Sequence, residues 1–392
     1  MPFLVLPLSA TPPTPPTPLD GLMVHFADLP DHRLERRRRH KLLDIVFLAV
    51  CAVVSGADDW VAVEVFCKAK LDWFKKYLEL PNGVPSHDTF GEFFRYLDAG
   101  AFEGRFRSWM AEICLTTDLK HVAIDGKTMR SSGGPKTRCL HVVSAFATAN
   151  GITLGQRAVD AKSNEITAIP ELLKTLDIAG ATVTIDAMGC QKEIARAIRR
   201  RKAHYLLAVK ENQPTLHAEI EAHYMAHLEA DFADVETSFC ESTEKNRGRV
   251  EYRSCRVFDD VNFLSVKDDW KDLRSVVVVV TDRREKGRST SEVRYYICSR
   301  KGTAAAMAKA VRGHWGIENN LHWHLDVTFA DDEGRAREGN GPENFAVIRR
   351  LALGIVSNAS GKESLAKKRL AACASDQRRE RMIGEFLAIP ED

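Results

Sequence analysis

The stretch HVAIDGKTMRSSGGPKTRCLHVVSAFATANGITLGQRAVD, residues 121–160, decides the architecture. Three runs in it, HVAIDGKT (121–128), CLHVVSAFATAN (139–150) and ITLGQRAVD (152–160), are rich in apolar and β-branched residues. Turn signals separate them, Asn150-Gly151 among them, so they read as three meandering strands. Downstream the pattern alternates: helix NEITAIPELLKTLDIAG, strand ATVTIDAMG (181–189), helix QKEIARAIRRRKA, strand HYLLAVKEN (204–212). A meander followed by strand–helix alternation implies an α/β fold, a mixed sheet with helices packed on it.

On either side of this block the chain reads as helical. Upstream, LLDIVFLAVCAVVSG ends at Gly56, and DDWVAVEVFCKAKLDWFKKYLEL has acids at its start and lysines near its end, as a helix dipole prefers. PSHDTFGEFFRYLD and AFEGRFRSWMAEICL carry aromatic stripes that read as core. Between 213 and 302 the order loosens: a helix around QPTLHAEIEAHYMAHL, then a hairpin in CESTEKNRGRVEYRSCRVF turning near Asn246, then strands RSVVVVVTDRR and SEVRYYICSR. After 302 come AAAMAKAVRGHWGIENNLHWHLD, PENFAVIRRLALGIVSNA and a basic helical end from KESLAKKRLAACAS.

The chain has 392 residues, is 44% hydrophobic and 28% charged, and has a net charge of +2. That near-neutral balance hides basic blocks at 33–41 (RLERRRRHK), 196–202 (RAIRRRK) and 367–382 (KKRLAACASDQRRERM), which read either as polyanion contacts or as solvated helix faces. Nine cysteines lie singly with no C-x-x-C pair, a pattern that fits a reducing cytosol. The Pro/Thr-rich start, 1–24, reads as an extended tail, and the apolar run 42–56 contains Asp44 and is too short to span a bilayer.

Two acids stand out by position. Asp125 lies inside the apolar strand VAIDG and Asp186 inside VTIDAMG. A carboxylate flanked by core positions is costly to bury unless paired or bound to metal. Either one alone could simply cap the next turn. If the first and fourth strands are neighbours, the two carboxylates project side by side, and their repulsion is best relieved by a divalent cation; Mg²⁺ suits such hard oxygen donors. A third acid is then expected from a later helix, and Glu318 is the candidate, with Ile317, Leu321 and Leu325 as the packing stripe.

The segment GHWGIENNLHWHLDVTFADD (313–332) holds three histidines, one glutamate and three aspartates. His314, Glu318 and His322 fall at i, i+4 and i+8 on one helix face. On a straight helix they span about 12 Å, too far to meet one ion, so a zinc site there would need ligands from elsewhere. The histidines then read as partners of the acids or DNA contacts, and Trp315 and Trp323 as packing residues, with base stacking as the alternative. Asp326, Asp331 and Asp332 have no assigned place.

These residues resemble the ISAs-type insertion-sequence transposases, also called H-repeat-associated proteins, within the DDE transposase group. The matching segments are AIDGKTMRSS, KSNEITAIPELL, TIDAMGCQKEIA, HYLLAVKENQPTL, RGHWGIENNLHWHLDVTFADD and PENFAVIRRLAL, with DHRLERRRRHKLLDIVFLAVCAVVSGADDW and LPNGVPSHDTF resembling the family's associated helical domain. The resemblance implies a ribonuclease H-like catalytic domain over 119–360 with a β-rich insertion at about 213–302, a helical domain over 25–118 and a basic helical tail over 361–392. It puts the catalytic, metal-holding triad on Asp125, Asp186 and Glu318. The wider group's Y-x2-R-x3-E-x6-K signature is not kept: its positions hold Val311, His314, Glu318 and Leu325.

The activity implied by the resemblance is cutting at element ends and joining of the 3′-hydroxyl ends to target DNA by two-metal phosphoryl transfer, with Mg²⁺ or Mn²⁺. The implied partners are double-stranded DNA, at terminal inverted repeats and target sites, and a second copy in a synaptic dimer, in the bacterial cytoplasm at the nucleoid. Lys127, Arg130, Lys210, Asn212 and His314, with Arg36, Arg37, Arg38 and Arg39, are the candidate DNA contacts. A DNA-binding relic that no longer cuts, and a Mg²⁺ nuclease without strand transfer, are the alternatives.

Overall fold

The structure is a computed structural model that describes residues 22, 24–115, 119–134, 138–160, 163–246 and 248–387; most of the Pro/Thr-rich stretch lies outside them. The first helices are α1 (Leu42–Val54), α2 (Trp60–Ala69), α3 (Leu71–Phe74), α4 (His87–Tyr96) and α5 (Ala99–Leu115). The single helix expected over 58–80 breaks at Lys70 into α2 and α3. Asp59 caps α2 by accepting from the Ala62 N–H at 2.8 Å, which satisfies one of the orphan donors of the first turn.

The sheet elements are β1 (His121–Met129), β2 (Leu140–Ala147), β3 (Ile152–Ala158), α6 (Glu165–Thr175), β4 (Thr182–Ile185), α7 (Lys192–Arg200), β5 (His204–Val209), α8 (Pro214–Glu229), β6 (Thr237–Asn246), β7 (Arg249–Phe258), β8 (Ser275–Glu285) and β9 (Arg288–Cys298). They form one nine-stranded sheet in the order β3-β2-β1-β4-β5-β9-β8-β7-β6. β1, β2 and β3 are antiparallel, β1–β4 and β4–β5 are parallel, and β5–β9 is antiparallel. The loosely ordered 213–302 segment therefore continues the same sheet: β9 pairs directly with β5, and the long β8–β7–β6 ladder follows. The Val276–Val280 run is an inner strand of that ladder, which explains its unbroken β-branched composition.

The chain then forms α9 (Ala304–Gly316), a π-helical segment Ile317–His322, α10 (Trp323–Val327), α11 (Gly341–Asn358), α12 (Leu365–Ala374) and α13 (Asp376–Leu387). Alternation along β1 sorts its side chains. Val122 and Ile124 belong to the core under α6 and α7, while Ala123 belongs to the core under the C-terminal helices. That second core joins α1, α4 and α5 to α11 and α13, so the N-terminal helices share their apolar interior with the end of the chain. Trp60 stacks on Phe94 at 4.8 Å and touches Phe345 at 4.5 Å, and the aromatic stripes of α4 and α5 are buried, in a core role. No helix among the described residues is long and apolar enough to cross a membrane.

Two of the basic blocks are partly internal. Arg369 is buried, donating to Val53 O at 2.9 Å and pairing with Asp58 at 2.7 Å; Arg379 is buried over the Trp73 ring and pairs with Asp376. In the 196–202 block, Arg199 pairs with Asp272 and Arg201 donates to Leu176 O. These guanidiniums cap backbone carbonyls in the helical layers, which answers the polyanion reading for those residues. Arg36, Arg37, Arg38 and Arg39 are exposed.

Candidate active site

β1 and β4 run parallel with Ile124 opposite Ile185, so Asp125, within β1, and Asp186, just past the end of β4, stand at the same level on adjacent strands. Asp186 ends β4 and caps the 3-10 turn Ala187–Gly189, its Oδ1 accepting from the Gly189 N–H at 3.3 Å. Asn212 reaches over from beyond β5 to donate its amide to Ala187 O at 2.7 Å. Its side chain thus steadies the Asp186 turn.

The residues from α9 through the π segment to α10 make a continuous rod lying along β1 and pointing the same way. Three pairs mark its course. His121 Nε2 and His314 Nδ1 meet on Thr184 Oγ1 at 2.9 and 3.1 Å; His322 Nδ1 lies 3.5 Å from Asp125 Oδ2; Asp326 Oδ1 lies 2.6 Å from Lys127 Nζ. The spacing is consistent. His121 to Lys127 spans about 20 Å of strand, and His314 to Asp326 spans about 18 Å of helix. Gly313 allows the approach, since a Cβ there would stand 2.9 Å from the His121 ring.

The π segment has a reason that can be read in the row His314, Glu318, His322, Asp326 and in the stripe Ile317, Leu321, Leu325, Phe329. Both repeat every four residues. On an α-helix four residues advance by about 400°, so such a row turns about 40° per step and about 120° over three steps. π-type i→i+5 bonds put more residues in each turn and rotate the row back. The uninterrupted α-helix expected here is therefore corrected, and the correction keeps Ile317, Leu321, Leu325 and Phe329 all fully buried.

The π segment carries Glu318 at the rim of the site, solvent-accessible. Burial pushes the Asp125 carboxyl up to about 7, with Glu165, Asp186 and Glu318 adding repulsion and the Gly126 N–H opposing. Partial burial also raises Glu318, Arg294 pulls it down and Asp186 adds to the rise. Burial holds the His322 imidazole down at about 3, helped by Arg350 and Lys127, so this histidine is neutral. Its Nε2 is buried without a partner.

Two features escaped sequence reasoning. Glu165, the first residue of α6, lies 2.7 Å from His141 Nε2 and packs over the backbone of Gly126, where any Cβ would collide with its carboxylate. Its signal was the SNE start of KSNEITAIPELL, a helix N-terminus that favours an acid. Arg350, on α11, is fully buried: Nε donates to Ser144 Oγ at 3.1 Å, Nη1 to Ala346 O at 3.2 Å, and Nη2 has no partner. Ser144 is the register neighbour of Asp125, so this guanidinium lies behind the acidic group.

The candidate DNA contacts separate into two sets. Lys127 is buried and its ammonium is engaged by Asp326, Asp331 and Asp332, which replaces the expected phosphate contact with an internal ion cluster. His314 is half-buried, with its Nδ1 on Thr184 Oγ1 at 3.1 Å. Arg130 is exposed, with its backbone N–H on Asp332; Lys210 is exposed as well. Trp315 and Trp323 are 40% and 51% exposed, so neither is the packing residue expected.

The family model described as Transposase DDE domain matches residues 116–355, and that described as DDE_Tnp_1-associated matches 23–110. The chain belongs to the DDE transposase family. YncI of Escherichia coli O157:H7 is 41% identical over 345 residues, covering 86% of this chain and 87% of that protein. YhhI of E. coli strain K12 is 40% identical over 349 residues, covering 87% and 91%; both names carry the word transposase, and YhhI's also reads H repeat-associated. A piggyBac transposase synaptic complex with hairpin DNA is structurally similar at a TM-score of 0.42 and 12% identity, over 96% of this chain and 83% of that one.

DDE transposases as a family use divalent metals, and the donor chemistry here fits one. Asp125 is half-buried, the charges of Glu165, Asp186 and Glu318 disfavour its ionised form, and hard oxygen donors of this kind suit a divalent cation. Among the described residues no three His, Cys, Asp or Glu side chains are already gathered tightly enough to hold an ion.

Proposed function

We propose that this DDE transposase cuts DNA at the ends of an insertion sequence and joins the freed 3′-hydroxyls to target DNA, with Asp125, Asp186 and Glu318 as the catalytic, metal-holding triad. The observation that supports this reading is the Ile124–Ile185 register, which puts Asp125 and Asp186 on neighbouring strands at one level, with Glu318 on the rod whose His322 lies against Asp125. The strand order β3-β2-β1-β4-β5 supports the ribonuclease H-like reading of the catalytic domain.

Mg²⁺, with Mn²⁺ as a substitute, supplies Lewis-acid polarisation of the scissile phosphate and charge neutralisation when bound. The rest is done by this chain's own residues. Asp125 and Asp186 on the neighbouring strands, with Glu318 from the rod, are the three carboxylates that would hold the metal and set where the phosphate lies. Neutral His322 closes the protein side of Asp125 without adding charge. Asn212 holds the turn that aims Asp186.

A groove of about 1110 Å³ runs between β6–β9 and α9 and reaches Asn319 of the π segment; its lining mixes Lys309, Arg312 and Arg294 with glutamates, Arg312 pairing with Glu244 and Arg294 with Glu292. It is the route we assign to the element-end DNA. Exposed Arg130 and Lys210, and the exposed run Arg36–Arg39 that begins in a 3-10 turn, add salt-dependent affinity for double-stranded DNA. The synapse is read as a dimer of this chain.

The test is cleavage of duplexes carrying the element's own ends by the full-length protein, with Mg²⁺, Mn²⁺ or EDTA. Nicking at the 3′ end of the element and its transfer to target DNA, both lost in Asp125→Ala, are expected. Cutting without transfer would make the protein a nuclease, and tight DNA binding without cutting would make it an inactive relic.

A further inference from the structure

Asp125 and Lys127 are two residues apart on β1 and face the same side of the sheet. Lys127 is only 7% exposed, and its ammonium lies 2.6 Å from Asp326, 3.6 Å from Asp331 and 3.5 Å from Asp332. All three acids belong to the end of the Glu318 rod or to the turn just after it. The cluster is anchored from behind. Asp331 is fully buried and pairs with the buried Arg349 at 2.9 Å, and Arg349 also donates to Asp58 O at 3.1 Å. Arg369 joins the same post, pairing with Asp58 and donating to Thr328 O. Ala330, between the two groups of acids, takes a left-handed backbone at φ 47°, a conformation that turns Asp331 and Asp332 back toward β1.

We propose that Lys127 is a positioning residue: its ammonium latches the rod that carries Glu318 to the strand that carries Asp125, and so sets the separation of the two carboxylates. The proposal rests on reading those carboxylates as the cutting site. The latch lies at the far end of the rod from the His121–His314 contact, with Glu318 between the two fixed points. The buried stripe Ile317, Leu321, Leu325 and Phe329 holds the rod on the sheet, and the latch fixes the register of its far end, beyond the π segment where the rod can bend. The same geometry leaves Lys127 no free face toward a phosphate.

Asp326→Asn in the full-length protein is the sharpest variant, because Asp326 is 41% exposed and its loss spares the buried pair Asp331–Arg349. Hydrogen exchange of the backbone amides of 323–332 should speed up by about tenfold in this variant, and Glu318→Gln should leave it unchanged. Cleavage of element-end DNA should lose about 10²-fold in kcat with KM for the DNA unchanged, the signature of a misplaced group. Asp326→Glu should restore most of both. In Lys127→Met, followed with its Tm, the slope of log Kd against log salt should stay that of the wild type, whereas a phosphate contact would lose about one unit. Unchanged exchange in Asp326→Asn overturns the latch, and so does a reduced salt slope with full kcat. If the wild-type protein cuts no DNA, the cutting-site reading fails on its own, and the exchange readout still decides the latch.

Discussion

Two charge clusters sit two residues apart on β1 and are built on opposite principles. Around Lys127 the charges are closed: one ammonium and two buried guanidiniums meet Asp326, Asp331, Asp332 and Asp58 within the protein. Around Asp125 the charges are open: Asp186, Glu318 and Glu165 add only repulsion, and the nearest imidazole, His322, is neutral. A buried ion cluster that is satisfied from inside fixes geometry, because breaking it strands a charge in a poor solvent. A cluster left with excess negative charge is, on the function proposed above, the place where a cation and a phosphate from outside would relieve the repulsion.

The largest expected effect strikes the open cluster. Asp125→Asn should abolish strand cleavage, on the order of 10³-fold or more, and erase the rise in Tm that Mg²⁺ gives the wild-type protein, while its metal-free Tm stays level or climbs. A metal-free Tm well below wild type would mean that Asp125 is structural and the contrast false. Next comes the closed cluster: Arg349→Met should cost about 3–5 kcal/mol in urea denaturation, because Asp331 is left charged and fully buried. A loss below about 1 kcal/mol would show that the cluster relaxes easily and holds nothing in place.

Between the two stands Gly126. Gly126→Ala forces a Cβ into the Glu165 carboxylate and the His141 ring, so a loss of about 1–3 kcal/mol in stability is expected, together with a fall in cleavage. Stability and cleavage unchanged there would remove Glu165 and His141 from the open cluster. Arg130→Ala should be the mildest change, within about 0.5 kcal/mol in stability, as its side chain is 86% exposed. Its mark would be a lower slope of DNA affinity against salt, by about one unit. An unchanged slope would leave Arg130 outside the DNA path.

Much of this could be read in the chain. The proposed triad Asp125, Asp186 and Glu318 was reached from the sequence because a carboxylate inside VAIDG or VTIDAMG violates the pattern of its own strand, and because a glutamate flanked by a packing stripe has a fixed face. The ion cluster of Lys127 was not legible because a lysine two residues from an acid looks the same whether it meets a phosphate or a carboxylate from the distant 326–332 segment. Trp315 and Trp323 were misread because aromatic side chains usually bury, whereas both stand on the outward side of the helices that flank the π segment. The four-residue repeat of the rod was present in the letters, and only its mismatch with 3.6 residues per turn gave it meaning.

By itself the sequence determined the alternation of strand and helix, the strands that carry the two aspartates and the helix that carries the glutamate, because hydrophobic period and β-branched runs are local properties. The tertiary structure alone decided that β9 closes onto β5, that α1 and α11 share one core, and that Lys127 meets three aspartates from the far end of the rod. Those outcomes depend on which distant surfaces can bury one another and which buried charges find partners. Neither is written in any single stretch of the chain.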